Sequence, residues 1–191
     1  MTRDDILNAA ATIFSEKGFH GASMQDIAEA VKLQKSSLYH HVSSKQEILL
    51  ALLDKALDLL IERIGKVADM PLSPEQKLRL SMVTYLETLL EHKDLAAILL
   101  LEHRSLDTDL RARHIPRRDR FEELWKEMIK EGIDEHVFNC HDPGFVTRSL
   151  LGMLNWTITW YRPDGPLNPA AIAKQYADLA ILGIMSNSQP Q

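Results

Sequence analysis

Apolar residues recur along this chain at intervals of three and four for almost its whole length, the spacing that aligns them on one stripe of an α-helix. The segment DDILNAAATIFSEKG lines up Ile6, Leu7, Ala10, Ile13 and Phe14 and stops at Gly18, a residue suited to close a helix. SMQDIAEAV opens on Ser23 as N-cap with Asp26 three residues on, a start that resembles a capping box. QKSSLYHHV predicts two turns with Leu38 and Val42 inward. Ser44 and Glu47 start a long stripe of Ile48, Leu52, Ala56, Leu59 and Leu60, which Pro71 and Pro74 break. Ser73 as cap and Pro74 at the first helical position begin the next helix.

Further on, Asp94 is placed to cap LAAILLLEHRS, a segment apolar nearly all round and so expected to be buried on most sides. A charged helix over roughly 106–132 follows, interrupted at Pro116. Asp142 with Pro143, and Asn168 with Pro169, are cap and first helical residue of the last two helices, over about 143–161 and 169–186. The final residues NSQPQ read as a polar tail. WTITWY alternates like a strand but sits inside a helical stripe. The expected fold is all-α, about nine helices: three short ones forming a head, then a body of mostly long ones. The boundary is expected inside the helix after Ser44, with domains at 1–46 and 47–191.

Composition narrows the setting. The chain has 191 residues, 45% of them hydrophobic, enough to bury a core. Its one cysteine, Cys140, allows no internal disulfide and suits a reducing compartment. The charged start MTRDDILNAA lacks the apolar run of a secretion signal. The longest apolar run, Leu95 to Leu101, falls far short of the ~20 residues a membrane span needs. A cytoplasmic protein without membrane contact is expected. The net charge of -5 arises entirely after residue 45. Before it, Arg3, Lys17, Lys32, Lys35 and Lys45 balance five carboxylates. Lys32, Lys35 and Lys45, with His40 and His41 between, form a local basic patch on a neutral head. That distribution suits a small, specific DNA contact rather than a long electrostatic track.

Three short helices whose last exposes small polar and basic groups describe a helix-turn-helix head. Short side chains let a helix enter the major groove, and Lys, Ser, Tyr and His donate to phosphates and base edges. The stretches F-x-x-K-G-F at 14–19, DIAEAV at 26–31 and SLYHHVSSKQEIL at 37–49 resemble, in order and spacing, the DNA-binding domain of the TetR family of bacterial regulators. The resemblance implies DNA contacts from Ser23, Gln25, Lys35, Ser36, Ser37, Tyr39, His40 and Lys45. Lys35 and Gln25 are the candidates for base edges, and Tyr39, Lys45 and the serines for phosphates. Two positions depart from the family pattern. Lys32 stands where a turn glycine is usual, and Val42 where Phe is common. If the turn keeps a positive φ, Lys32 costs roughly 1 kcal/mol relative to Gly.

The same resemblance implies that the body binds a small-molecule effector and forms a homodimer through the last two helices. Two heads would then meet a near-palindromic operator in double-stranded DNA. EHRSLDTDLRARHIPRRDRFEELW and NWTITWYRPDGPLNPAAIA further resemble family members that regulate fatty-acid and sterol-side-chain degradation, whose effectors are commonly acyl-CoA thioesters. Candidate apolar linings are Tyr85, Leu89, Leu100, Trp125, Met128, Phe145, Met153 and Trp156, residue types equally suited to plain core. Arg104, Arg148 and Arg162, with Trp156 and Trp160, are candidates for a CoA head group. Arg162 also suits a helix-end cation, and RARHIPRRDR a solvated face. No enzymatic grouping, phosphate-binding loop or dinucleotide fingerprint is present, and no cofactor is expected. His136, Cys140 and His141 leave a metal or a different apolar ligand as the alternative effector, but zinc prefers four ligands in recognisable pairs and no second pair follows.

Overall fold

A computed structural model of the chain describes residues 2–185. Within them lie nine α-helices: α1 (Arg3–Gly21), α2 (Met24–Ala30), α3 (Lys35–Leu38), α4 (Lys45–Ala68), α5 (Pro74–Glu91), α6 (Lys93–Ala97), α7 (Thr108–Asp134), α8 (Pro143–Trp160) and α9 (Pro169–Ile184). A π-helical turn, Ile98–Glu102, and a 3₁₀ turn, His103–Ser105, join α6 to α7. The polar tail and the last residue of the expected final helix lie outside the described residues. Phe138 and Met185 form an isolated antiparallel bridge.

The chain divides into two compact units, Met1–Asp58 with His92–Arg118, and Leu59–Glu91 with Asp119–Gln191. In the first, Ile6, Leu7, Ala10, Ile13 and Phe14 are buried as their spacing predicts, together with Ile27, Leu38, Val42, Ile48 and Leu52. Ile98 and Leu106 join the same core. Gly18 takes φ 71° and ψ 158°, so α1 breaks where the glycine was expected to close it. Thr2 caps α1, and Asp5 completes a capping box.

The other start signals behave as their chemistry requires. Ser23 and Asp26 form a reciprocal capping box. The hydroxyls of Ser44 and Ser73 accept from the backbone N–H of Glu47 and Gln76. Asp142 and Asn168 accept from Phe145 and Ala171. Four expectations change. The α3 helix is one turn rather than two, because the chain tightens into i→i−3 bonds at His40 and His41. Asp94 does not cap its helix: His92 holds the N-cap position, and the Asp94 carboxylate accepts from the Thr12 hydroxyl at 3.0 Å. That segment is not buried all round either, since Leu101 is 64% exposed. Nor does Pro116 interrupt α7. The proline and Ala112, whose carbonyl loses its helical donor, both face solvent, so water can satisfy that carbonyl.

The second unit packs α5 against α8 and α9. Leu78, Met82, Tyr85, Leu86 and Leu89 of α5 are buried, as are Leu150 and Leu154 of α8 and Ile172, Ala177 and Ile181 of α9. Lys77, almost buried, donates to both carboxylate oxygens of Glu131 at 2.7 and 3.0 Å. Arg79 links Glu75 to Asp178 of α9.

Candidate nucleic-acid interface and effector core

The Ser23 cap starts α2, and Gly18 turns the chain toward it. At the far end of α2, Lys32 takes φ 56°. Leu33 N–H donates to the Ala28 carbonyl at 2.8 Å and Lys32 N–H to the Glu29 carbonyl at 3.0 Å. This is a Schellman closure, which needs a left-handed residue at the position Lys32 fills. The turn therefore keeps the positive φ although the glycine is absent. Val31, Leu33 and Leu38 pack inward and fix the angle of α3.

This geometry leaves Lys35, Ser36, Tyr39 and His40 exposed and Ser37 half-buried. Among the described residues, none of these five has a protein hydrogen-bond partner in its side chain that competes for a ligand. Tyr39 is 47% exposed, an unusual exposure for a large aromatic on so small a unit. Ser23 and Gln25 are exposed as well, but both have local work. Ser23 holds the cap, and the Gln25 amide donates to Glu29 at 2.8 Å. Asp26 is anchored by the Lys17 ammonium at 2.6 Å and by Ser23. These bonds hold its carboxyl well below the usual carboxylate range.

Lys45 is placed differently from the expectation of a phosphate contact. Its ammonium donates to the carbonyls of Phe19 at 2.8 Å and Ala22 at 2.7 Å. It also lies 4.4 Å from the centre of the Phe19 ring. It secures the turn between α1 and α2.

Sequence reasoning missed how much of the first unit comes from 92–118. The Gln46 amide donates to the Ser105 carbonyl at 2.9 Å and accepts from Asp107 N–H at 3.2 Å. Glu47 pairs with Arg113 at 2.9 Å. Asp54 meets almost buried His114 at 2.8 Å and Arg117 at 2.7 Å, and Arg117 also reaches Asp58. Glu102 accepts from Phe19 N–H at 3.0 Å. The only sequence signal was the string of basic residues in RARHIPRRDR, most of which have partners rather than standing idly solvated.

The candidate effector residues do not form one group. Tyr85, Trp125 and Met128 come together in the second unit, with Phe121. Tyr85 stacks on Phe121 at 5.7 Å and meets Trp125 edge-on at 5.8 Å. The Tyr85 hydroxyl donates to Asn155 at 2.6 Å, and the Ser81 hydroxyl to the Met128 sulfur at 3.4 Å. Burial pushes the Tyr85 phenol up. Trp125 Nε1 and Thr157 Oγ1 are buried with no hydrogen-bond partner among the described residues. Leu89 is buried and Met153 half-buried. Leu100 and Arg104 belong to the first unit, with Leu100 half-buried and Arg104 exposed. Phe145, Arg148, Trp156, Trp160 and Arg162 are all exposed.

The exposed aromatics follow one face of α8. Phe145, Ser149, Gly152, Trp156 and Thr159 repeat at helical spacing, with Phe145 65% and Trp156 67% exposed. On α9, Leu179 and Leu182 are 67% and 78% exposed. A separate, largely apolar groove of about 570 Å³ lies between α5 and α9, lined by Leu72, Leu80, Val83, Ala170 and Ala177 together with Gln76, Arg79 and Lys174. Among the described residues, no three His, Cys, Asp or Glu side chains are arranged to hold a metal ion. Burial raises the Cys140 thiol pKa, which disfavours the thiolate a metal needs. Among the same residues, no helix is long and apolar enough to cross a membrane.

Comparison with known proteins gives a consistent picture. Residues 6–52 match the family described as bacterial regulatory proteins, tetR family, and residues 71–184 match the tetracyclin repressor-like C-terminal domain. The HTH-type transcriptional repressor KstR2 of Mycobacterium tuberculosis is 29% identical over 184 residues, 95% of this chain and 92% of that protein. The TetR family regulator PfmR of Thermus thermophilus is 36% identical and superposes with a TM-score of 0.85, covering 93% of this chain and 97% of that one. AibR, crystallised in complex with isovaleryl coenzyme A and operator DNA, is 29% identical with a TM-score of 0.86, covering 93% and 96%.

Proposed function

This chain belongs to the TetR family of bacterial regulatory proteins, and from that premise we propose that it is a transcriptional repressor which an acyl-CoA thioester releases from its operator. The family is one of regulators rather than enzymes. In this reading residues 1–46 form the DNA-binding domain and 47–191 the effector-binding and dimerisation domain, in the cytoplasm where the operator lies. The observation that carries it is the pair α2 and α3. A capped helix, a left-handed turn at Lys32 and a short helix with Lys35, Ser36, Tyr39 and His40 outward make a surface whose free donors suit phosphates and base edges. Lys35 reads a base edge in this scheme, and Tyr39 and the serines hold phosphates. Lys45 acts from behind by fixing the turn.

Dimerisation is supported by the exposed stripes of α8 and α9. Phe145, Trp156, Leu179 and Leu182 are too large and too exposed to be left in water without cost, and Gly152 and Gly183 allow close helix approach. Two heads about 34 Å apart then read a near-palindrome. Two features support the thioester. AibR, similar to this chain over most of its length, was crystallised with isovaleryl coenzyme A. The second unit also holds a buried indole N–H and a buried hydroxyl without partners among the described residues, donors that a carbonyl-bearing ligand would satisfy. A ligand that binds the released conformation more tightly shifts the population from the DNA-bound one by its difference in affinity.

The test is fluorescence anisotropy with purified protein and an operator selected from random duplexes, at ~0.15 M salt. Titrations are run alone, with isovaleryl-CoA and with a long-chain acyl-CoA. Tight binding abolished by either thioester supports the proposal. Tight binding indifferent to both keeps the repressor and refutes the effector. Lys35→Ala is expected to weaken binding by about tenfold and to relax selectivity at one base pair per half-site.

A further inference from the structure

The turn between α1 and α2 is gripped from two sides. Gly18 kinks α1, and the next residue, Phe19, at the start of its last turn, is held at both of its backbone polar groups. Its N–H donates to Glu102 Oε1 at 3.0 Å, and its carbonyl accepts from Lys45 Nζ at 2.8 Å. The Phe19 ring is buried and meets Phe14 edge-on at 5.3 Å. Four residues later Ser23 caps α2. The direction of α2, and with it the Lys32 turn and α3, therefore depends on how Phe19 is held.

Glu102 is an odd residue to find beside a DNA-binding head. A carboxylate there repels phosphates, so a direct nucleic-acid contact is not its role. Its second oxygen accepts from the Ser105 hydroxyl at 2.9 Å, which aims the first at Phe19. It ends the π-helical turn and precedes the 3₁₀ turn, so two changes of hydrogen-bond register meet at this residue. A register change of one residue there slides the carboxylate by about 1.5 Å along the helix axis, enough to break its bond to Phe19.

We propose that Glu102 is a positioning residue for DNA recognition. By holding the Phe19 N–H opposite the Lys45 ammonium it sets the α1–α2 turn in the orientation that reads the groove. The proposal rests on the reading that this head binds an operator.

The experiment uses the full chain with Glu102→Ala and Glu102→Gln. Hydrogen exchange of the 19–22 amides is followed by mass spectrometry, and operator binding by anisotropy across a salt series. Glu102→Ala is expected to speed exchange in 19–22 and to weaken operator binding by about tenfold, with an unchanged salt slope because no phosphate contact is lost. Glu102→Gln keeps an acceptor oxygen, and is expected to stay near wild type in both. Simple charge removal has the opposite sign, since it would tighten binding in both variants. Unchanged exchange in Glu102→Ala, or operator binding as tight as wild type, overturns the proposal. If no operator is enriched from random duplexes, the repressor reading fails. Exchange then decides whether Glu102 holds Phe19. Should Glu102→Ala fail to fold, Glu102→Asp, one methylene short, takes its place with the same readouts.

Discussion

Gly132 is expected to tolerate no side chain. A Cβ built there lies 2.1 Å and 2.4 Å from two carbons of the Phe138 ring, where ordinary contact needs about 3.5 Å or more. The ring has little room to retreat. Phe138 is buried, its N–H donates to the Gly132 carbonyl at 2.8 Å, and the next N–H, Asn139, donates to the Ile184 carbonyl at 2.7 Å. Gly132→Ala therefore either expels the ring or forces the backbone apart. Losing the buried ring costs about 3–5 kcal/mol, and overpacking about 1–3 kcal/mol. Alanine returns about 1 kcal/mol in helix propensity. The net expectation is a loss of about 2 kcal/mol. Urea unfolding followed by circular dichroism measures it, at one fixed protein concentration because self-association adds to stability. A double-mutant cycle isolates the cause. In a Phe138→Ala background, Gly132→Ala should cost nothing or stabilise slightly. Gly132→Ala as stable as wild type, or a cycle in which the two effects add, would refute the steric argument.

Three further outcomes follow from the same geometry. Lys32→Gly relieves a left-handed residue, worth about 1–2 kcal/mol, but loosens the unfolded chain by about 0.4–1 kcal/mol. A thermal melt should show a small gain, and a clear loss would mean that the turn does not need its positive φ. Asp26 is held below its ordinary value by Lys17 and Ser23, so its contribution is complete above the ordinary carboxylate pKa of 3.8 and fades as pH falls further. The melting temperatures of wild type and Asp26→Asn should differ by a constant amount between neutral pH and pH ~5 and converge in stronger acid; a gap that persists in acid would contradict this. Leu182→Glu puts a charge on the exposed α9 stripe, and light scattering should show a dimer turned to monomer with the far-ultraviolet spectrum kept. A wild type that is already monomeric sinks the proposed interface.

The helices were legible because their apolar spacing and their caps are local signals. Ser23 with Asp26, Ser44 with Glu47 and Pro143 after Asp142 each act within four residues, and the backbone obeys them. The family resemblance marked the Lys32 turn, but with lysine in the glycine's place its φ stayed open until the structure gave 56°. What the sequence hid is long-range. Nothing in LAAILLLEHRS says that its helix loosens into a π turn, or that Glu102 meets a backbone N–H eighty-three positions away. Lys45 was a phosphate candidate only through the family resemblance, which says nothing of what its ammonium meets in this chain. Only the fold shows the Phe19 and Ala22 carbonyls waiting for it. The aromatics of α8 failed as a group for a related reason. Helical spacing shows that Phe145 and Trp156 share a face, but not whether that face looks into the unit or out of it.

The discontinuity of the first unit bears on how the chain is made and how it can be cut. The head's polar ties to Ser105, Arg113 and His114 are absent until those residues have been synthesised, so on the ribosome α1–α4 emerge with Gln46, Glu47 and Asp54 unmatched. Their contacts span about sixty residues, a separation that slows closure relative to the local pairing of α1 with α2. A head excised after residue 46, or transplanted onto another body, would carry its reading helices but leave behind Glu102 and the rest of the segment that steadies them. Grafts that keep 92–118 with residues 1–58 should read DNA as the parent does, while those cut at the apparent boundary should emerge as slack copies of it.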